Sequence, residues 1–420
     1  MCSPSLRAPG NAPRILTQRR EQEVTVTHLR SCLALWQRST YEPNTFNYSG
    51  PYPPRHAWIS AFRNTTTEFQ GRAAGDPTVP DAQAAAARFA ARYLAALAAL
   101  EEPAAEGACV SCSVYPKLAA LTQPGAEERA DPLCCLKLCS IRDTLLREEG
   151  FSDCFRTIKA EENQKALLHL PGLLAEHDAL SPAERLRAVI EGVFAGNIFD
   201  LGAHHTADMF RDGGLDFHFT RAKLQHRPWT VDCFDALASR LAMADVHKLA
   251  VMFVDNSGAD IVLGMLPLAR ELLRRGTRVI LAANTVPSIN DVTAEELSAM
   301  MPKVAAVDAI FASALEDGRL RVMPSGNDLP VIDLRNTSPD LAAAAADADL
   351  VILEGMGRGI ETNLLATFTC EVLCLGMIKH QEVAQALGDS PLFGCVCRYD
   401  APKECRWVEG RKISAFAPVR

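Results

Sequence analysis

Residues 248–284 read KLAVMFVDNSGADIVLGMLPLARELLRRGTRVILAAN. The run Leu249–Val254 is apolar throughout, without the polar alternation of a half-exposed strand, so it predicts a strand buried on both faces. It breaks at Asp255-Asn256-Ser257-Gly258. The residues that follow have helical spacing up to Gly276, and a second apolar run, RVILAA, begins at Arg278. Strand, helix, strand in that order implies two parallel strands joined by a crossover helix. The same texture continues in TAEELSAMMPKVAAV (293–307), LPVIDL (329–334), ADLVILEG (348–355), EVLCLG (371–376) and FGCVCRYD (393–400). The expected fold is therefore α/β, with a Rossmann-like parallel sheet covered by helices from about Val246 onward.

Upstream, from about Pro80 to Ala244, the pattern is helical. AQAAAARFAARYLAALAALEE (82–102) is rich in alanine at helical spacing. SIRDTLLREEGF (140–151) reads as a helix with Ser140 as its cap and Gly150 as its stop. SPAERLRAVIEGVFAGNIFDLG (181–202) opens with Ser181 at the cap and Pro182 in the first turn. The expected organisation is a tail over 1–40, a helical domain over 41–244 with a cysteine-containing insertion at 104–139, and an α/β domain over 245–420.

The chain has 420 residues, 48% apolar and 22% charged, as in globular proteins. Its net charge of −8 and pI of about 5.7 argue against nucleic acid or an anionic membrane as the main partner. No apolar run reaches the roughly 18 residues of a membrane span. The first 20 residues carry arginine and no acid, a weak transit-peptide character, and the expected location is cytoplasmic. The 14 cysteines then read as reduced thiols. Cys109 and Cys112 form a C-x-x-C followed by Cys134, Cys135 and Cys139, but the second half-site lacks the usual zinc spacing.

Open parallel sheets bind ligands beyond the carboxyl ends of their strands. Here the apolar runs end in Asp255-Asn256-Ser257, in Asn284 and the loop to Asp291, in Ser325-Gly326-Asn327-Asp328, in Glu354-Gly355-Met356-Gly357-Arg358, and in Lys379-His380. Asp255, Asn256 and Asp291 offer hard oxygen ligands that suit Mg, Mn or a related divalent cation. Asp255 alone is equally a helix cap. The glycine-dense GMGRG turn lets backbone N–H groups approach a phosphate, with Arg358 and Lys379 as charged partners. Asn197 and Asp200 either line the same cleft or close a helix end. Glu161, Glu162 and Asn163 are either further candidates or a solvated helix face.

In order, FVDNSGADIVLGMLPLARELLRRG, AANTVPSINDVT, SGNDLPVIDL, ADLVILEGMGRGIETNL and GMIKHQEVA resemble the damage-control phosphatase family, nearest its EGMGR subgroup. The resemblance runs from about Tyr41 to Tyr399. It implies metal held by Asp255, Asn256 and Asp291, and phosphate held near Ser257, Glu354, Gly355, Gly357, Arg358 and Lys379. It also implies hydrolysis of a small-molecule phosphate ester, with 4'-phosphopantetheine and its oxidised or sulfonated forms foremost. A fructose 1-phosphate-like sugar phosphate and a non-catalytic phosphometabolite-binding role are the alternatives. The 420 residues carry no pantothenate-kinase-like segment of the kind fused to some members, and the tail and cysteine stretch look like additions. Attack by a water on the cation or by a carboxylate, Asp255, both stay open. A haloacid-dehalogenase-type phosphatase is disfavoured, because Ser257 stands where its second acid belongs. A carboxyl methyltransferase is disfavoured too, since DNSGAD supplies a single glycine.

Overall fold

The computed structural model describes residues 41, 43–101, 133–198, 217–243 and 247–401. The N-terminal tail, Cys109, Cys112 and Asp200 lie outside them.

Seven strands form one sheet: β1 (Val231–Asp232), β2 (Leu249–Phe253), β3 (Arg278–Ala283), β4 (Leu320–Pro324), β5 (Leu350–Glu354), β6 (Glu371–Met377) and β7 (Cys395–Asp400). Their spatial order is β1-β7-β6-β5-β2-β3-β4. From β6 through β5, β2 and β3 to β4 every pairing is parallel. β7 departs from the expected parallel sheet: it runs antiparallel to β6, and β1 is parallel to β7. The connection before β7 is pinned to the end of β6, because Phe393 N–H bonds to Ile378 O (2.7 Å) and Ile378 N–H to Gly394 O (3.0 Å). The chain re-enters the sheet at the end where it left, so the strand must run backwards. The run Leu329–Leu334 is not a strand. Pro330 removes a ladder donor, and Asp333 takes the backbone N–H of Arg335 to start a 3₁₀ turn, Leu334–Asn336.

Both faces of the sheet are covered, which is why its strands lack alternation. On one face Val251, Phe253, Ile280 and Leu353 pack under α1 (Arg55–Asn64), α2 (Thr66–Ala74), α3 (Ala82–Glu101) and α4 (Cys135–Glu148). On the other, Ala250, Met252, Leu281 and Ile352 pack under α5 (Arg156–Ala179), α6 (Pro182–Asn197), α7 (Phe217–Lys223), α8 (Phe234–Leu241), α9 (Leu266–Arg274), α10 (Ala294–Val307) and α11 (Ala309–Glu316). Two short helices, α12 (Pro339–Ala344) and α13 (Gln381–Ala386), complete the first layer. Each fully buried large aliphatic or aromatic side chain contributes about 1.5–3 kcal/mol, so these two layers dominate the stability. Helices upstream of residue 244 thus share cores with the sheet, and β1 is drawn from that same upstream segment.

The caps follow the sequence in part. Ser181 and Glu184 form the capping box of α6. α4 starts at Cys135 rather than at Ser140, because Cys135, Leu138 and Cys139 extend its buried face toward the N-terminus. Gly150, at φ 98°, ends it as expected.

The chain lays down β2, β3 and β4 outward in one direction, then returns to place β5 on the other side of β2. The strand order therefore reverses between β2 and β5. A crevice opens at the carboxyl ends of such a pair, and there the ends are Val254-Asp255 and Glu354-Gly355.

Candidate active site

The first residues past β2 do not serve as a cap. Asp260–Met265 forms a π-helical turn ahead of α9, and the residue before it, Ala259, makes no side-chain cap bond. The wider turn sets Asp260 back beneath Asn256. Asn256 Nδ2 donates to Asp255 Oδ2 (3.0 Å) and Asp260 Oδ2 (2.7 Å), and Asn256 N–H also reaches Asp260 Oδ2 (3.3 Å). Glu354, the last residue of β5, accepts the Asp255 N–H at 3.0 Å. Asn197, the last residue of α6, ties the three acids together. Its Nδ2 donates to Glu354 (2.8 Å), Asp260 (3.1 Å) and Asp255 (3.4 Å), while Met377 N–H donates to its Oδ1 (3.3 Å). Helix α6 reaches this close because of Gly196, where a Cβ would lie 2.8 Å from Asp260 Cα.

Asp291 arrives from the loop after β3. A backbone bridge pairs it with Asn256, and Val292 N–H donates to Asp255 O (3.0 Å). Asn284 Nδ2 donates to Asp291 Oδ2 (2.9 Å) and to Leu329 O (3.0 Å). Arg358 then spans the group: one guanidinium nitrogen donates to Asp255 Oδ1, the other to Asp291 Oδ2 (2.6 Å) and Asn284 Oδ1 (3.0 Å). It is aimed there by Gly355, at φ 97°, after which Met356–Glu361 makes a second π-helical turn. A Cβ at Gly355 would collide with the Asp255 carboxylate.

Asp255, Asp260, Asp291 and Glu354 are all buried, as are Arg358 and Lys379. Four carboxylates against two cations leave two negative charges uncompensated, the deficit that one divalent cation closes. Without it protons must do so. Burial pushes the Asp255 and Glu354 carboxyls well above their usual range and raises Asp260; Asp291 and Asp260 push Asp255 further up, and Asp260 does the same to Glu354. Burial opposes the charge on Arg358, but Asp291 and Asp255 more than offset it.

The residues fit a hard cation. Asp255, Asp260 and Glu354 each offer an oxygen within 4.8 Å of the others, and the buried Asp260 Oδ1 has no hydrogen-bond partner. Among the described residues this is the one acid, histidine or cysteine group with metal-holding spacing. Cys134, Cys135 and Cys139 are buried free thiols at the start of α4 and belong to no such group.

A cleft of about 90 Å³ opens over this centre. Asp255, Asn256, Gly357, Glu361 and His380 line its polar part, and Phe62, Phe69, Ile289 and Val331 its apolar part. Lys379 lies beside the GMGRG turn, its N–H on Met356 Sδ at 3.3 Å. Ser257 donates its N–H to Asn290 O (2.9 Å), and its buried hydroxyl has no hydrogen-bond partner. Glu161 is exposed, but Asn163 braces the loop by accepting Gly258 N–H at 2.6 Å. The sequence reading missed Asp260; its signal was an acid five residues after Asp255, the spacing of one π turn.

Fold and site together define a doubly wound α/β enzyme with an acid-and-amide centre at its switch point. Residues 60–391 match the damage-control phosphatase ARMT1-like domain, and the chain belongs to that family. It is 42% identical over 349 residues to the damage-control phosphatase At2g17340 of Arabidopsis thaliana, covering 83% of this chain and 88% of that protein. It is 32% identical over 416 residues to the 4'-phosphopantetheine phosphatase of Mus musculus, covering 87% of this chain and 48% of that protein. The crystal structure of a DUF89 family protein from Pyrococcus horikoshii shares the fold, with a TM-score of 0.53 at 16% identity over 81% of this chain and 96% of that one.

Proposed function

We propose that this phosphatase uses a divalent cation, Mn, Ni or Co, to hydrolyse the phosphate monoester of a small metabolite, foremost 4'-phosphopantetheine and its oxidised forms. The deficit of two charges at the carboxyl ends of β2 and β5 carries the reading. Asp255 and Asn256 line the cleft, and the Asn256–Asp291 bridge puts Asp291 next to them. These three would hold the cation. Glu354 accepts the Asp255 N–H and the Asn197 amide and so orients the centre from behind, while Asp260, whose Oδ2 accepts from Asn256 and Asn197, keeps Oδ1 open toward the same cation. When bound, the cation neutralises phosphoryl charge and orients the attacking oxygen.

The chain's own groups do the rest. Arg358 is the counter-charge of Asp255 and Asp291, and a dianionic phosphate at the cleft would draw on the same donors. Lys379 adds a second positive charge, and backbone N–H groups of the Gly355–Gly357 turn can hold the transferring oxygens. The name of the mouse relative and the apolar cleft wall favour the pantetheine ester over a sugar phosphate. The test is phosphate release from 4'-phosphopantetheine and fructose 1-phosphate by chelator-stripped protein, with Co, Ni, Mn and Mg restored singly. Metal-dependent release, greater from the first ester, supports the reading; release without metal, or from neither ester, overturns it.

A further inference from the structure

Arg142, on α4, takes no part in the centre described above, yet it lines the same cleft as Asp255 and Asn256. It is buried and fixed on two sides. Its Nε donates to Asp143 Oδ1 (2.6 Å), and its guanidinium carbon stands 4.7 Å from the centroid of the Phe69 ring. Asp143 is itself anchored by the Ser288 hydroxyl at 2.5 Å. The buried Nη2 of Arg142 has no hydrogen-bond partner. A buried charged donor left unpaired costs free energy comparable to a lost hydrogen bond, so it persists where something else supplies the acceptor. Two simpler partners are excluded by the surroundings. The side chains of Phe62, Phe69 and Ile289 present no acceptor, and Asp143 is already engaged by Nε and by Ser288.

We propose that Arg142 is the specificity-determining residue for the part of the substrate beyond the phosphate, and that its open donor reads a carbonyl oxygen, such as an amide's, on the substrate tail. The Asp143 carboxylate already balances the guanidinium charge, so the vacant donor selects a neutral acceptor rather than a second anion. The aromatic and aliphatic walls around it suit the apolar remainder of such a tail. This proposal rests on the phosphatase reading of the site.

The test compares two esters with each enzyme: 4'-phosphopantetheine, whose tail carries amides, and n-hexyl phosphate, whose tail carries none. Wild type and the Arg142→Gln and Arg142→Lys variants are assayed with the same metal. The expected result for Arg142→Gln is a KM for 4'-phosphopantetheine raised about tenfold to a hundredfold, with kcat changed little and n-hexyl phosphate turnover unaffected. Arg142→Lys restores part of the loss because it keeps a donor. Equal losses on both esters, or none on either, overturn the proposal; if Arg142→Gln does not fold, the same KM split read in Arg142→Lys decides it. Wild type inactive on both esters would instead overturn the phosphatase reading itself.

Discussion

The two ends of this sheet hold buried carboxylates under opposite rules. At the amino end of β6, Glu371 meets three partners. Arg240 Nε lies at 2.8 Å from one oxygen, and His247 Nε2 (2.7 Å) and the Tyr399 hydroxyl (2.6 Å) lie on the other. Burial would raise its pKa, but these three partners hold it down at about 2. At the carboxyl ends of β2 and β5, four acids share two cations, and Asp255, Asp260 and Glu354 are driven up instead. Burial is common to both ends; supply of positive charge is not. The first cluster ties strands and helices together. The second carries a standing deficit that folding alone does not relieve, and stability is commonly given up in this way where a ligand is to bind.

The comparison breaks most readily at Asp255. Asp255→Ala should lower phosphate release about a thousandfold or more while far-UV circular dichroism stays unchanged, since it removes both the proposed central ligand and a partner of Arg358. Gly355→Ala should follow. The added methyl meets the Asp255 carboxylate and sits at positive φ, so both activity and melting temperature should fall.

At the other end, Glu371→Gln should leave kcat per folded molecule unchanged but cost about 2–4 kcal/mol in denaturant titration, because the Arg240, His247 and Tyr399 groups lose a charged acceptor. Glu371 also sets an acid limb. Its folded pKa lies below its unfolded one, so its contribution is complete above about pH 4.5 and is lost as pH falls toward 2. After allowance for solvent screening that is about 1–2 kcal/mol, and the limb should vanish in Glu371→Gln.

The smallest effect is a pKa lowered chiefly by burial, with the nearby Arg221 charge adding to it. His177 on α5 is buried with an unpartnered Nε2, and burial lowers its pKa from 6.5 to about 4. The unfolded chain takes the proton first, so stability should decline by about 1–2 kcal/mol as pH drops from 6.5 to 4. His177→Leu should flatten that decline in melting curves measured across the range.

Much of this was legible in the residues. Apolar runs ending in Asp255, Asn284, Glu354 and Lys379 gave both the sheet and the place where its polar ends meet, because a strand buried on both faces has few other reasons to finish in acids. What stayed hidden depended on packing. The reversal of β7 comes from the bonds that pin Phe393 and Gly394 to Ile378. The early start of α4 comes from its burial against α3. Asp260 belongs to the centre because the turn after Asn256 is a π turn, and Arg142 lines the cleft because α4 lies over it. None of these is written in local periodicity.

On this reading catalysis by the carboxyl-end cluster requires a divalent cation. The most direct test titrates chelator-stripped protein with Mn(II), following bound metal by calorimetry and phosphate release on the same samples, for wild type and Asp255→Ala. Release should rise in step with occupancy in wild type, and Asp255→Ala should lose both. Undiminished turnover by wild type that binds no metal would contradict it.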